Sequence, residues 1–312
     1  MVADPHVRDR RPAGGLFTRR EFLASACAAA GGLGALLAGC GHVPGSDTEE
    51  NERETAMARP RAGAQLYTVR EVVKTPADIA QSLKKVADIG YTGVQLSGLG
   101  PMDAKELADM AQGLGLAIAA THVGWERVRD DTDGVIAEHK VWGCTHPAIG
   151  GLPGDYYSAD GVKRFLDELA PVAERLAQEG MDFSYHNHNH ELARYGDKTW
   201  LAMLYEQGSP DHIKAEIDTY WIQAGGGDPA AWVAKCAGRE PVLHVKDMAI
   251  TPQREVRFAE VGEGNLNWPA ILQAATDGGV EWCLVEQDNC YERDPFESLA
   301  ISYRNLKAMG VS

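Results

Sequence analysis

Short β-rich runs alternate with amphipathic helical patterns eight times along residues 61–312, and this order leaves few folds open. The runs are Gly63–Tyr67, Gly93–Leu96, Ala117–His122, Thr145–Ile149, Met181–His186, Ile213–Asp218, Val242–Lys246 and Trp282–Gln287. Helical patterns follow them at Ala77–Ile89, Asp103–Leu114, Thr132–Trp142, Ala159–Gln178, Lys198–Glu206, Pro229–Cys236, Trp268–Thr276 and Pro295–Met309. The first of these shows the logic. Thr75 and Pro76 supply a cap and a first-turn proline, and Ile79, Leu83, Val86 and Ile89 recur at helical spacing. Gly90, Gly115, Gly143, Gly180, Gly208 and Gly238 stand where left-handed caps would end each helix. Strict strand–helix alternation implies a parallel sheet, because parallel neighbours need a crossover between them. Eight such units in about 250 residues favour an α/β fold of the (β/α)8 TIM barrel type over a doubly wound sheet. In such a barrel every strand points its C-terminal end at one mouth, so chemistry is sought there.

The fifth run closes with Tyr185-His186-Asn187-His188-Asn189-His190-Glu191. Strand side chains alternate, so His186, His188 and His190 share one face if the strand persists. Metal binding is a common reason to gather neutral imidazoles so densely; a polar loop or a hydrogen-bonded histidine pair is the plainer reading. Three more strand ends carry candidate ligands: Asp218 on the sixth, His244 on the seventh and Glu286 on the eighth. Two histidines and two carboxylates from consecutive strands suit a divalent ion with positions left for substrate. Each also has a bland role: Asp218 as a turn cap, His244 as a satisfied core histidine, Glu286 as the partner of Lys246.

At this point the chain resembles the xylose-isomerase-like barrel superfamily, the sugar (phosphate) isomerases and epimerases. The resemblance spans nearly all of residues 61–312. It is carried by Gln65-Leu66-Tyr67-Thr68-Val69-Arg70, the histidine run, Glu216-Ile217-Asp218-Thr219-Tyr220-Trp221, His244-Val245-Lys246-Asp247, Gly262-Glu263-Gly264 and Val285-Glu286-Gln287-Asp288. It implies one divalent ion, manganese first with zinc, cobalt, iron or magnesium as alternatives, held by Glu, Asp, His and Glu from strands five to eight. The last three match Asp218, His244 and Glu286. Ketose epimerases carry a glutamate at the strand-five position; here His186 fits the spacing, with His188 as the alternate. Trp221 stands where many epimerases have a histidine. The symmetric pair of metal-bound glutamates used for two-sided epimerisation is therefore absent from this sequence.

The activity implied is proton abstraction next to a carbonyl through an enediolate, giving a sugar isomerase or epimerase. A lyase or dehydratase acting on oxidised (3-keto) sugars or glycosides through the same site is the alternative, and a non-catalytic carbohydrate-binding lipoprotein the third. The implied ligand is a small sugar or sugar derivative. His188 and Glu286 are candidates to move the proton, Lys246 to steady an enediolate oxygen, and Glu191 to orient a histidine. His122, Trp125, Trp221 and Arg257 are candidates to bind the substrate, the tryptophans by stacking on a sugar ring. Against these stand a structural His122, a Lys246 salt bridge to Glu286 or Asp288, solvated Glu191 and Arg257, and tryptophans that are simply core.

Residues 1–39 read as a twin-arginine lipoprotein signal: Arg19-Arg20, a weakly hydrophobic stretch from Ala24 to Ala38, and Leu37-Ala38-Gly39-Cys40, which resembles a lipobox with Cys40 lipidated. Residues 40–60 then read as a polar tether, and residues 61–312 as the barrel. The expected location is the extracytoplasmic or periplasmic face of a bacterial membrane, held by lipid alone. Removing residues 1–39 leaves 25 basic and 42 acidic groups, net −17. That sign disfavours a nucleic-acid partner, and with it an endonuclease-IV-like repair enzyme. Cys144, Cys236, Cys283 and Cys290 show no Cys-x-x-Cys spacing and read as free thiols rather than a disulfide framework.

Overall fold

The computed structural model describes residues 59–312. The paired arginines, Cys40 and nearly all of the tether lie outside the described residues. Eight parallel strands form one sheet: β1 Arg61–Gln65, β2 Gly93–Leu96, β3 Ala117–His122, β4 Pro147–Ile149, β5 Ser184–His186, β6 Lys214–Glu216, β7 Val242–Val245 and β8 Trp282–Val285. Their order is β6-β5-β4-β3-β2-β1-β8-β7. The two end strands meet where the His244 amide donates to the Ile217 carbonyl at 2.9 Å, beside a parallel bridge between Asp218 and His244. The sheet thus all but closes, as the eightfold alternation predicts.

Around it lie α1 Pro76–Ile89, α2 Ala104–Gly113, α3 Trp125–Asp130, α4 Thr132–Trp142, α5 Ala159–Ala177, α6 Trp200–Gln207, α7 Thr219–Ala224, α8 Pro229–Lys235, α9 Trp268–Gly278 and α10 Pro295–Ala308. Thr75 and Asp78 build a reciprocal capping box on α1, satisfying otherwise orphaned amides. Two of these helices, α3 and α7, are short turns at the mouth that the apolar periodicity does not announce. A hairpin of Asp247–Ile250 and Val256–Ala259 also rises after β7. Gly90, Gly115, Gly143, Gly180 and Gly238 have the expected positive φ. Gly208 does not: it is extended (φ −77°, ψ 132°), and a Cβ there would lie 2.8 Å from Ile213 Cγ2 and the Leu204 carbonyl. Close approach, not handedness, accounts for that glycine.

Alternation of side chains stacks the barrel interior in layers. The deepest layer is apolar: Val242, Trp282 and Leu284 fill it, and Gly63 and Gly93 lack the Cβ atoms that would strike Leu284 and the Trp282 ring. Above it lie four buried polar side chains, Gln65, Gln95, Glu216 and His244. The next layer holds His122, His186, Asp218, Lys246 and Glu286, of which His122, His186 and Glu286 line the mouth while Asp218 and Lys246 are fully buried. Outward-facing residues such as Ile217, Val245, Cys283 and Val285 join the helices in the main hydrophobic core. Cys144, Cys236, Cys283 and Cys290 are all free thiols, as their spacing suggests.

Candidate metal centre

The strand ends bring His186, Asp218, His244 and Glu286 into one buried group, with one candidate ligand atom from each lying within 4.8 Å of all the others. His186 Nε2 is 3.2 Å from Asp218 Oδ2, and His244 Nδ1 is 2.9 Å from Glu286 Oε2. Asp218 Oδ2 lies 3.9 Å from the same His244 nitrogen. Local folding sets these positions. Asp218 caps α7 by accepting the Trp221 amide on Oδ1, which turns its other oxygen toward the group. The Asp218 amide donates to Asn187 Oδ1 at 3.1 Å, so the loop after β5 is tied to the end of β6.

The donor set fits a divalent ion on two counts beyond proximity. First, burial, then the neighbouring histidines, push His186 well below the ordinary imidazole range, which leaves it neutral with a lone pair to give. Its Nδ1 is buried without a partner. Second, His244 uses its other nitrogen, Nε2, on Glu216 Oε1 at 2.8 Å and Gln95 Oε1 at 2.6 Å. A carboxylate behind the far nitrogen of an imidazole is the usual way a ligating histidine is held and made more basic. Burial opposes charge on His244, yet Glu216 and Glu286 outweigh it and raise its pKa to about 10. The same field attracts a metal cation.

Lys246 stands beside this group. Its Nζ lies 3.0 Å from Asp218 Oδ2, 3.0 Å from Glu286 Oε2 and 2.7 Å from Asp288 Oδ2. Burial alone would lower the lysine pKa, but Asp218, Glu286 and Asp288 outweigh it and hold the ammonium charged. Burial similarly opposes ionisation of Glu286, and Lys246 and His244 overcome it, keeping the pKa well below the carboxylate range.

The three histidines of the run take different parts, although their rings stay in consecutive contact, 4.9 Å from His186 to His188 and 5.6 Å from His188 to His190. The strand ends at His186, the chain bends through Asn187, and a short 3-10 turn begins at His190. The shared face expected of a persisting strand is therefore not formed. His186 alone joins the four-residue group. His188 lines the mouth with its Nδ1 buried and unpartnered, its ring 4.9 Å from that of His186 and 5.4 Å from Trp221. Burial lowers its pKa to about 4. His190 is half exposed and packs on Tyr157. Glu191 is fully buried rather than solvated; it accepts the Tyr185 hydroxyl at 2.8 Å and the His188 amide at 2.9 Å, and so positions that histidine.

His122 borders the mouth, with Nε2 2.6 Å from Glu216 Oε1. Trp221 is half-buried, against His188 and Phe258. The expected sugar-stacking role of Trp125 is not met, because it is 1% exposed and packs on Phe165 and Phe183, so its ring belongs to the core. Arg257 lies on the hairpin, paired with Glu255 and stacked over Tyr291, and borders a different cavity from the mouth. Sequence reasoning missed Glu216 itself. Burial works against its charge, but His244 and His122 hold its pKa well below the usual range. Its signal was available: Glu216 is two residues before Asp218 and therefore on the same strand face.

Comparison with known proteins places these observations. A family model described as a xylose isomerase-like TIM barrel matches residues 83–304. The rhizopine catabolism protein MocC of Rhizobium meliloti is 24% identical over 271 residues, 73% of this chain and 79% of that protein. A sugar phosphate isomerase/epimerase from Parabacteroides distasonis superposes with a TM-score of 0.68 at 23% identity, covering 82% of this chain and 96% of that one. The probable 3-DHS dehydratase AsbF of Bacillus anthracis gives a TM-score of 0.58 at 15% identity, covering 79% and 98%. Identities this low carry the fold alone.

Proposed function

Because the chain belongs to the xylose isomerase-like TIM barrel family, we propose that it is a sugar isomerase or epimerase that moves a proton next to a carbonyl. The observation that carries this reading is the buried group of His186, Asp218, His244 and Glu286, whose candidate ligand atoms lie within 4.8 Å of one another. These four residues would hold one divalent ion, which when bound supplies Lewis-acid polarisation of the substrate carbonyl and adjacent hydroxyl. Manganese is the first candidate. The substrate is a small sugar or sugar derivative.

The chain's own groups account for the proton. His188 is neutral at physiological pH and borders the mouth, where its imidazole can take up a proton from a ligand. The ammonium of Lys246 favours the developing negative charge of an enediolate from a desolvated position. Returning the proton to the neighbouring carbon isomerises the sugar; returning it to the opposite face of the same carbon epimerises it.

One observation favours a lyase or dehydratase as the second reading. Both acids of the group, Asp218 and Glu286, are neutralised by the same Lys246 amine, while His122, His186 and His188 contribute imidazoles to the mouth. Opposed carboxylates are missing, and expulsion of a β-substituent from the same enediolate needs only one base. Incubating metal-loaded protein in D₂O with free ketoses and with 3-keto-glycosides separates the two. Deuterium incorporated without leaving-group release supports the isomerase, and release supports the lyase. A protein that binds no divalent metal and exchanges no proton would refute both. The twin-arginine and lipobox patterns further support export and anchoring through lipidated Cys40, which mass spectrometry of the mature N-terminus tests.

A further inference from the structure

The histidine run holds a second group of metal-binding character that the four-residue centre does not use. One candidate ligand atom from each of His188, His190 and Glu191 lies within 4.8 Å of the others. His190 Nε2 is 3.3 Å from Glu191 Oε1. The rings of His188 and His190 are nearly parallel, 5.6 Å apart and inclined by 19°. The backbone gathers these residues at Asn189, whose helical angles (φ −78°, ψ −27°) lead into the 3-10 segment His190–Leu192.

Glu191 lacks a countercharge. Its carboxylate is fully buried, yet among the described residues no lysine or arginine pairs with it, and His190 is its only ion-pair partner. The Tyr185 hydroxyl and the His188 amide satisfy its oxygens with hydrogen bonds but supply no full charge. Asp218 and Glu286, by contrast, both have the ammonium of Lys246. A buried carboxylate is ordinarily paired with a cation or bound to a metal. The group is also held from behind, as metal ligands usually are. The Tyr185 hydroxyl meets that of Tyr157 at 3.2 Å, and the Tyr157 ring packs edge-on against His190 with centroids 4.5 Å apart. No protein group competes for His188 Nδ1, which is buried without a partner.

We propose that His188, His190 and Glu191 form a second, weaker site for a divalent ion of the zinc type, and that filling it inhibits the reaction by occupying His188. Two imidazoles and a carboxylate with one side open to solvent at His190 suit such an ion. The site is weaker because it offers three ligands rather than four. Its His188 ring also lies 4.9 Å from that of His186, so ions in the two sites repel each other. The site stands on its own geometry, whereas the inhibition rests on the proposed proton-transfer role of His188.

The test titrates Zn²⁺ into metal-free protein against a chromophoric chelator. Wild type takes up two equivalents, the second more weakly. His190→Ala, a change at a half-exposed position, takes up only the tight one. His186→Ala loses the tight equivalent and keeps the weaker, so the two sites are told apart. In the D₂O exchange assay, the second equivalent stops exchange by wild type but not by His190→Ala. A wild type that binds a single zinc ion, or a His190→Ala protein that still binds two, overturns the site. Exchange that continues with the second ion bound overturns the inhibition. Absence of exchange at one equivalent refutes the proton-transfer reading and the inhibition with it, while two bound equivalents would still uphold the site.

Discussion

Glu216 gathers three donors around one buried carboxylate: His122 Nε2, His244 Nε2 and the Gln95 side-chain amide, the last at 3.0 and 3.2 Å. Gln65 in turn donates to Gln95 at 2.7 Å, so the polar layer under the mouth is one connected network. Its effect is to turn Nδ1 of His244 toward Asp218 and Glu286. Glu216→Gln should therefore lower metal affinity by about 10–100-fold, read by competition with a chromophoric chelator. The histidine pair offers a sharper contrast. His186→Ala should abolish tight metal binding, whereas His188→Ala should retain the metal and lose turnover; equal metal loss in both would reverse the assignment. Glu240 gives a pH prediction away from the mouth. Burial raises its pKa well above 4.5, despite the Ile217 amide it accepts, and its Oε2 has no partner. A raised folded pKa means its favourable contribution is complete below the unfolded value near 4.5 and is lost as pH rises through the folded value. Glu240→Gln should then raise Tm by about 2–4 °C at pH 8, a gain that disappears by pH 4 in calorimetry.

At the scale of elements, the loop after the hairpin is set by Asp247, the residue following Lys246. Its buried carboxylate accepts the amides of Met248, Gly262, Gly264 and Leu266 and the Trp268 indole N–H, at 2.6–3.2 Å. Gly264 can approach because it has no Cβ, which would lie 2.3 Å from Asp247 Oδ1. This knot fastens the excursion that follows β7 and ends at α9. Asp247→Ala strands several of those donors at once and should cost roughly 2–4 kcal/mol in urea unfolding. The Gly262-Glu263-Gly264 motif thus has a structural reason that its sequence does not state: the carboxylate it surrounds is 15 residues earlier. The strand-five run was misread for a similar reason. Alternation predicted three histidines on one face, but Asn187 bonds to the neighbouring strand end and Glu191 to the His188 amide, so the chain leaves the sheet after His186. Neither partner can be identified from local pattern.

For the whole molecule, metal and fold should be linked. An ion that binds the folded barrel through four strands, and not the unfolded chain, adds about 2.7 kcal/mol of stability at a hundredfold excess over its Kd. Differential scanning calorimetry should show Tm rising with added Mn²⁺ and falling back with EDTA; no shift at saturating metal would contradict the linkage. The barrel itself was legible because eight alternations and their glycine stops are local signals repeated along the chain, and each strand buries a regular pattern. The positions of Asp218, His244 and Glu286 at strand ends were legible for the same reason: period and polarity fix both strand and face. Closure of the sheet between β6 and β7 decided the rest. It carried Glu216 under two histidines and put Lys246 among three carboxylates, while packing on Phe165 and Phe183 drew Trp125 into the core and His122 stayed at the mouth. Those outcomes depend on contacts between residues from 28 positions apart, as for Lys246 and Asp218, to 94, as for His122 and Glu216. Side-chain chemistry and period were written locally; which charges would share a desolvated space was decided only when the barrel brought distant strands together.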